Sequence, residues 1–277
     1  MELMSGNEAI AQGAWEAGCT IGVAYPGTPS TETLEAFAKK EGVYAEWCVN
    51  EKVAVEVGIG ASAAGARVLA TMKHVGVNVA ADPLFTAAYT GVGGGMVILA
   101  ADDPGMYSSQ NEQDSHYYAQ AAAIPCLDPA DSAEALRFTR EAYDISERFD
   151  VPVIIRSSVR ISHTKTPVEA GERAEAPARS YEKNPAKWVM MPAFAKPRRL
   201  VQLDRIDKLR QWVETCPYNE VREGKGAIGI VCAGAAYQHG REHLQTRGHL
   251  APSRGRAARF RRLRRSRVRR GGGLGVP

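Results

Sequence analysis

The sequence predicts an α/β protein built on a mostly parallel, doubly wound sheet, and three observations carry that prediction. Six short apolar runs recur over roughly the first 160 residues without the polar–apolar alternation of a half-exposed strand. Helical stretches separate them. Turns rich in glycine, proline and aspartate divide the elements, as expected where buried strands alternate with helices that cover both faces of a sheet.

The elements follow in order. Ser5-Gly-Asn-Glu8 is a capping box ahead of a helix to Ala17, and Gly18 is its natural stop. Residues 20–25 read as the first strand. Residues 26–29 form a turn, and Ser30 is expected to cap a helix reaching about Lys40. Residues 43–47 are strand, 51–66 helix and 68–72 strand. Residues 79–89 read as helix, 96–101 as strand and Asp102-Asp-Pro-Gly105 as a turn. A strand at 124–127 precedes a helix capped by Asp131, with Leu136, Tyr143 and Phe149 at roughly helical spacing, and 151–157 closes the series.

After Thr166 the composition changes. Residues 167–187 are charged, proline-containing and poor in large apolar side chains, which reads as a linker; 192–199 extends it and 204–213 is a short amphipathic helix. Residues 226–233 (Gly-Ala-Ile-Gly-Ile-Val-Cys-Ala) read as a fresh buried strand, and 234–237 as the start of its helix. The expected division is a folded unit over 1–166, a linker with a short helix over 167–224, the start of a second α/β domain over 225–240, and a tail over 241–277.

Charge is split along the same lines. Residues 241–277 hold twelve Arg, no Lys and one acid, which is +11, so the preceding residues carry −7 of the total +4. An acidic folded part gives no electrostatic reason to expect nucleic acid as partner. The tail, with Phe260 as its one aromatic, reads as the product of a shifted reading frame or a truncation, ahead of a disordered basic arm. The five cysteines (Cys19, Cys48, Cys126, Cys216, Cys232) include no C-x-x-C pair, which excludes the usual zinc and iron–sulfur spacings. No signal peptide opens the chain, and the longest apolar stretch, 91–101, is too short to span a bilayer. The reading is a cytoplasmic protein without a membrane partner.

The chemistry-bearing candidates are few. The turn at Gly27-Thr28 offers backbone amides and one hydroxyl at the mouth of the sheet, or is simply a strand-to-helix turn. Glu51 opens an alanine- and glycine-rich helix, where it is either a ligand-facing carboxylate or a solvated first-turn residue favoured by the helix dipole. Gly58, Gly60 and Gly65 lower helix propensity by roughly 1 kcal/mol each, which a helix accepts where a backbone or ligand must come close. No G-x-x-x-x-G-K-[ST] loop and no G-x-G-x-x-G after the first strand are present, which argues against nucleoside-triphosphate and nicotinamide sites. Gly91-Val-Gly-Gly-Gly95 precedes a strand rather than a helix, and His74, His116 and His163 are isolated and read as structural.

Several motifs stand in a fixed order: Met4-Ser-Gly-Asn-Glu-Ala-Ile10, Tyr25-Pro-Gly-Thr-Pro-Ser-Thr-Glu32, Asn50-Glu-Lys-Val-Ala54 and Thr71-Met-Lys-His-Val-Gly-Val-Asn-Val-Ala80. Asp102-Asp-Pro-Gly105, Ser109-Gln-Asn-Glu-Gln-Asp114 and residues 156–163 follow them. Together they resemble the pyrimidine-binding domain of the thiamine diphosphate-dependent 2-oxoacid:ferredoxin oxidoreductases, in the large (alpha) subunit form of the branch that uses indolepyruvate. The resemblance runs from about residue 2 to about residue 239.

The resemblance implies a role for each matched residue. Glu51 matches the glutamate that hydrogen-bonds N1′ of the cofactor's aminopyrimidine, favouring the imino form whose 4′-nitrogen takes the proton from thiazolium C2. Thr28, with Gly27 beside it, matches the threonine near the reactive centre and the substrate. It further implies oxidative decarboxylation of an aryl-pyruvate to an acyl-CoA, with electrons leaving to ferredoxin, a beta subunit as partner and an oligomeric full-length form. Mg²⁺ and [4Fe-4S] clusters are expected only in the full-length subunit, ligated by parts absent from this sequence, so the isolated chain is expected to be inactive. The pyruvate-using branch carries an arginine near the strand end where this chain reads Asp102-Asp103, which favours an aryl-pyruvate. Two other readings are a pyrimidine-binding subunit of a non-oxidative 2-oxoacid decarboxylase and a non-catalytic basic-tailed binding protein.

Overall fold

The computed structural model of the chain describes residues 1–177, 179–220 and 230–246. Its centre is a six-stranded sheet of β2 (Ile21–Ala24), β3 (Tyr44–Trp47), β4 (Val68–Lys73), β5 (Met96–Asp102), β6 (Cys126–Leu127) and β7 (Val153–Ser158). The spatial order is β3-β2-β4-β5-β7-β6 and every neighbouring pair is parallel. β4 and β5 are buried along nearly their whole length, because helices cover both faces, and this is why their sequences read as continuous apolar runs. The predicted fold class is the one observed.

The helices are α1 (Gly6–Glu16), α2 (Thr31–Ala38), α3 (Glu51–Ala63), α4 (His74–Val79), α5 (Ala81–Thr90), α6 (Ser115–Ala122), α7 (Ser132–Phe149), α8 (Val159–His163), α9 (Pro185–Trp188), α10 (Pro192–Val213) and α11 (Ala235–Thr246). α1 lies between α2 and α7, while α3, α5 and α10 pack in succession. The predicted capping box at Ser5 is formed in both directions, and Asp131 caps α7 by accepting from the Glu134 amide at 2.9 Å. At the amino ends of the strands, Arg67 bonds Glu147 (2.8 Å), Asp144 (2.9 Å) and the Ala17 carbonyl (2.8 Å). Burial alone would raise the Glu147 carboxyl, but the Arg67 bonds and charge hold it below its ordinary value. Among the described residues no helix is long and apolar enough to cross a membrane.

Four expectations about elements are corrected. Ser30 does not cap α2: it is already in helical conformation, and its hydroxyl donates instead to the Gly27 carbonyl at 2.8 Å. Helix begins directly after β4, at His74, rather than at Val79. α6 stands between the turn at 102–105 and the strand at 124–127, where no element was assigned from the sequence. The segment 192–199, read as more linker, is the first part of the 22-residue α10 despite Pro197. The face that α10 buries carries Arg198, Gln202, Arg205 and Leu209, spaced four, three and four apart; its inward stripe is largely polar, so apolar periodicity misses it.

Residues 2–5 and 165–168 form a small antiparallel ribbon, β1 (Glu2–Ser5) with β8 (Lys165–Val168), which was not expected. From there the chain runs back across the unit as a strap. The Ala174 amide donates to the Glu16 carbonyl (2.8 Å), Arg173 to that of Glu41 (2.7 Å) and Lys187 to that of Val92 (2.8 Å). Arg198 bonds the Thr90 carbonyl (2.7 Å), and Asp150 collects Lys187 and Arg205. Of the strand expected over 226–233, residues 226–229 lie outside the described residues, as does the 247–277 part of the tail; residues 230–233 pair with no strand among the described residues, and Ile230 and Val231 are exposed rather than buried.

Candidate functional site

The sheet's strand order reverses direction between β2 and β4, since β3 lies on the outer side of β2. Ligands of open α/β sheets sit outside the carboxyl ends of the strands at such a reversal. Three connections meet there: the turn after β2, the β3–α3 junction and the start of α4 after β4. They bring together the residues singled out in the sequence.

The turn after β2 is closed on itself. The Gly27 amide donates to Thr31 Oγ1 (2.9 Å), and the Gly27 carbonyl accepts from the Ser30 amide (2.8 Å). The amide expected to face a ligand at Gly27 is therefore engaged within the turn. What Gly27 offers is room, because a Cβ there would stand 3.1 Å from Lys73 Cδ. The Thr28–Pro29 peptide is cis, and the Pro29 carbonyl accepts from Asn7 Nδ2 at 2.8 Å, so buried Asn7 of α1 holds the turn from beneath. Thr28 is left exposed, and among the described residues its hydroxyl makes no hydrogen bond.

Glu51 is not a solvated first-turn residue. Asn50, in extended conformation, caps α3 by accepting from the Val53 amide (2.9 Å), and Glu51 follows at 8% exposure. Its neighbour Lys52 turns outward to Asp82 at 3.0 Å. The Glu51 carboxylate lies against bare Gly76 of α4: a Cβ there would come within 2.6 Å of Oε1 and 2.7 Å of Cγ. Among the described residues no hydrogen bond or ion pair reaches this carboxylate. A carboxylate packed against backbone without a partner is carried at some cost, of which a helix N-terminus returns roughly 0.3–1 kcal/mol. Such a group is poised to accept a hydrogen bond from a donor brought by a ligand.

Lys73 and His74 tie the far side of this site to the loop after β5. Lys73 Nζ donates to the Ser108 carbonyl (2.9 Å) and Ser109 Oγ (3.1 Å), and buried His74 places Nε2 2.9 Å from the Asn111 carbonyl. Asp103 accepts from the amides of Tyr107 (3.2 Å) and Ser108 (2.7 Å) and from Ser109 Oγ (2.9 Å). Burial would raise the Asp103 carboxyl, yet these donors, with His74 nearby, hold it below its ordinary value. Asp102 turns the other way, to Arg156 Nε (2.7 Å) and the Ser115 amide (3.1 Å).

The structure thus gathers Gly27, Thr28 and Glu51 at one end of the sheet. It adds Asn7, Lys73 and Gly76, which the sequence reading did not single out, and brings in His74, read there as structural, and Asp103, noted there for standing near the strand end where the pyruvate-using branch carries an arginine. Gly76 carried a local signal: a glycine inside a short helix lowers its stability and needs a close approach to account for it. Gly58 fits the same logic on the sheet side, where a Cβ would stand 3.2 Å from Met96 and 3.3 Å from Val68.

Comparison with known proteins bears on the family and the fold. A family model described as pyruvate flavodoxin/ferredoxin oxidoreductase, thiamine diphosphate-binding, matches residues 12–215. The chain is 44% identical over 249 residues to the indolepyruvate oxidoreductase subunit IorA of Archaeoglobus fulgidus, covering 87% of this chain and 40% of that protein. It is 43% identical over 253 residues to the subunit of the same name from Methanothermobacter marburgensis, covering 89% and 41%. The chain therefore spans about two fifths of the length of these relatives. Among solved structures it superposes on a 2-oxoglutarate:ferredoxin oxidoreductase from Magnetococcus marinus with a TM-score of 0.69, at 17% identity, over 89% of this chain and 52% of that one.

Proposed function

Because the chain belongs to the pyruvate flavodoxin/ferredoxin oxidoreductase, thiamine diphosphate-binding family, we propose that it supplies the pyrimidine side of a cofactor site in a 2-oxoacid:ferredoxin oxidoreductase. The observation that carries this reading is the buried Glu51 carboxylate, held by a capped helix start, faced by bare Gly76 and met by no donor among the described residues. These residues fit the aminopyrimidine of thiamine diphosphate, a flat ring that brings nitrogen donors.

In this reading Glu51 accepts a hydrogen bond from the pyrimidine ring and, as general acid/base, governs the proton balance of that ring. Asn50 fixes its position through the helix cap, and Gly27 keeps the wall beside Lys73 open. Thr28 turns its hydroxyl toward the 2-oxoacid. When bound, thiamine diphosphate supplies the nucleophilic carbon and the electron sink for decarboxylation. The substrate is indolepyruvate or a related aryl-pyruvate, after relatives similar along most of the chain. CoA, ferredoxin and a beta subunit complete a cytoplasmic assembly, and Mg²⁺ and the iron–sulfur clusters are held outside this chain. Residues 1–166 form the pyrimidine-binding unit, ahead of a connecting segment and a second α/β domain that begins near residue 225.

The test is Glu51→Gln in the assembled oxidoreductase. Indolepyruvate-dependent viologen reduction is expected to fall by about 10²–10⁴-fold, the range for losing a general acid/base. In the 277-residue chain itself, thiamine binding followed by tryptophan fluorescence is expected to weaken in step. Turnover and binding equal to wild type would remove Glu51 from the site and the reading with it.

A further inference from the structure

The loop over 103–114 is surface-exposed, yet it is tied down along its length. Asp103 holds the backbone at Tyr107 and Ser108, and the Met106 amide closes a turn onto the Asp103 carbonyl (3.0 Å). The Gly105 amide donates to Glu112 (3.1 Å). Lys73, His74 and, through Tyr118 and Gln113, Asn78 bind the loop to the strand and helix beside the site. Ordering an exposed segment carries an entropic penalty at every residue, which these bonds offset, so the loop holds a fixed position.

The loop displays two apolar side chains. Tyr107 is 80% exposed with its ring folded over Gly105, and Met106 is 49% exposed in a left-handed conformation (φ 55) that a methionine rarely adopts. Lys73 sets where this pair stands. Its stem lies against Gly27, next to Thr28, while its ammonium holds Ser108 and Ser109, next to Tyr107. One side chain therefore bridges the substrate-facing turn and the loop that presents the aromatic ring.

We propose that Tyr107, with Met106, is the specificity-determining wall for the 2-oxoacid side chain, and that Lys73 is the positioning residue that fixes it beside Thr28. This inference rests on the site reading above and deepens it. An aromatic substrate side chain meets an aromatic ring on a loop that does not have to order on binding, whereas a methyl group such as that of pyruvate gains little from it.

The experiment compares wild type, Tyr107→Phe, Tyr107→Ala, Lys73→Met and Lys73→Arg in the assembled oxidoreductase, with phenylpyruvate and pyruvate as probes. Tyr107→Ala is expected to lower the phenylpyruvate-to-pyruvate ratio of kcat/KM about tenfold, carried by KM, with Tyr107→Phe close to wild type. Lys73→Met is expected to shift the ratio in the same direction and Lys73→Arg to restore it in part. Independently of turnover, phenylpyruvate added to the 277-residue chain is expected to slow hydrogen exchange at the Tyr107 and Ser108 amides more than equimolar pyruvate does. A ratio and an exchange pattern unmoved by Tyr107→Ala would overturn the inference alone. A wild-type assembly that turns over no 2-oxoacid would overturn the site reading and this inference with it.

Discussion

At the carboxyl ends of β5, β7 and β6, three carboxylates converge on one guanidinium; at the carboxyl ends of β3, β2 and β4, the Glu51 carboxylate is buried with no ion-pair partner among the described residues. In the first group, Arg156 stands 2.7 Å from Asp102, 3.5 Å from Asp128 and 3.6 Å from Asp114, and His116 closes on Asp114 at 2.7 Å. In the second, the Glu51 carboxylate lies against Gly76 and, among the described residues, meets no hydrogen bond or ion pair. The two groups sit on one sheet edge, so burial alone does not distinguish scaffold from site. Partnership does. A buried charge that its own protein satisfies holds the fold together, while one left unsatisfied is carried at a cost that a ligand can relieve.

The sharpest way to break the contrast is Arg156→Met. With Asp102 and Asp128 left buried and uncompensated, a loss of about 3–5 kcal/mol is expected from urea unfolding; a loss below 1 kcal/mol would mean the cluster is not scaffold. Next comes Gly76→Ala, whose Cβ would collide with the Glu51 carboxylate. About 1–3 kcal/mol of stability is expected to go, together with thiamine binding. Retained binding in that variant would show that the carboxylate is free to move aside.

A smaller effect is read along the pH axis. Asp128, then Asp114, raise the proton affinity of His116 against burial and the opposing charge of Arg156. A raised folded-state value means that the contribution is complete below the unfolded value of about 6.5 and is lost as pH rises through the folded one. Urea midpoints between pH 5.5 and 8 are expected to fall more steeply for wild type than for His116→Asn; equal slopes would take His116 out of the network. The smallest expected change in stability is the one that matters most for function. Glu51→Gln is expected to leave unfolding free energy within about 1 kcal/mol of wild type, on the favourable side, while ligand binding collapses. A clear destabilisation there would place Glu51 in the scaffold group.

The two groups also differ in what the sequence discloses. The buried strands were legible because β4, β5 and the first half of β7 are apolar on both faces. α10 was not, because its inward stripe is Arg198, Gln202, Arg205 and Leu209 and a proline stands inside it. α6 (Ser-His-Tyr-Tyr-Ala-Gln-Ala-Ala) has too little apolar periodicity to announce itself, and its cap, Asp114, ends a motif to which no element was assigned. Glu51 and Thr28 were found through their motifs. That Glu51 is buried and unpartnered could not be, since it depends on Gly76 arriving from another strand's end. The engagement of the Gly27 amide by Thr31 and the bridge made by Lys73 are likewise tertiary facts, invisible to spacing along the chain.

The β1–β8 ribbon has a kinetic consequence. It joins positions about 160 apart in sequence, Ser5 against Lys165 and Glu2 against Val168. Closing so long a segment carries the largest loop entropy of any strand pair in the unit, and a ribbon of four residues on each side returns little until the elements between have assembled. The clasp is therefore expected to latch last. A fluorophore pair on Leu3 and Pro167 would then time the completion of folding, lagging the burial of Tyr143 in the core.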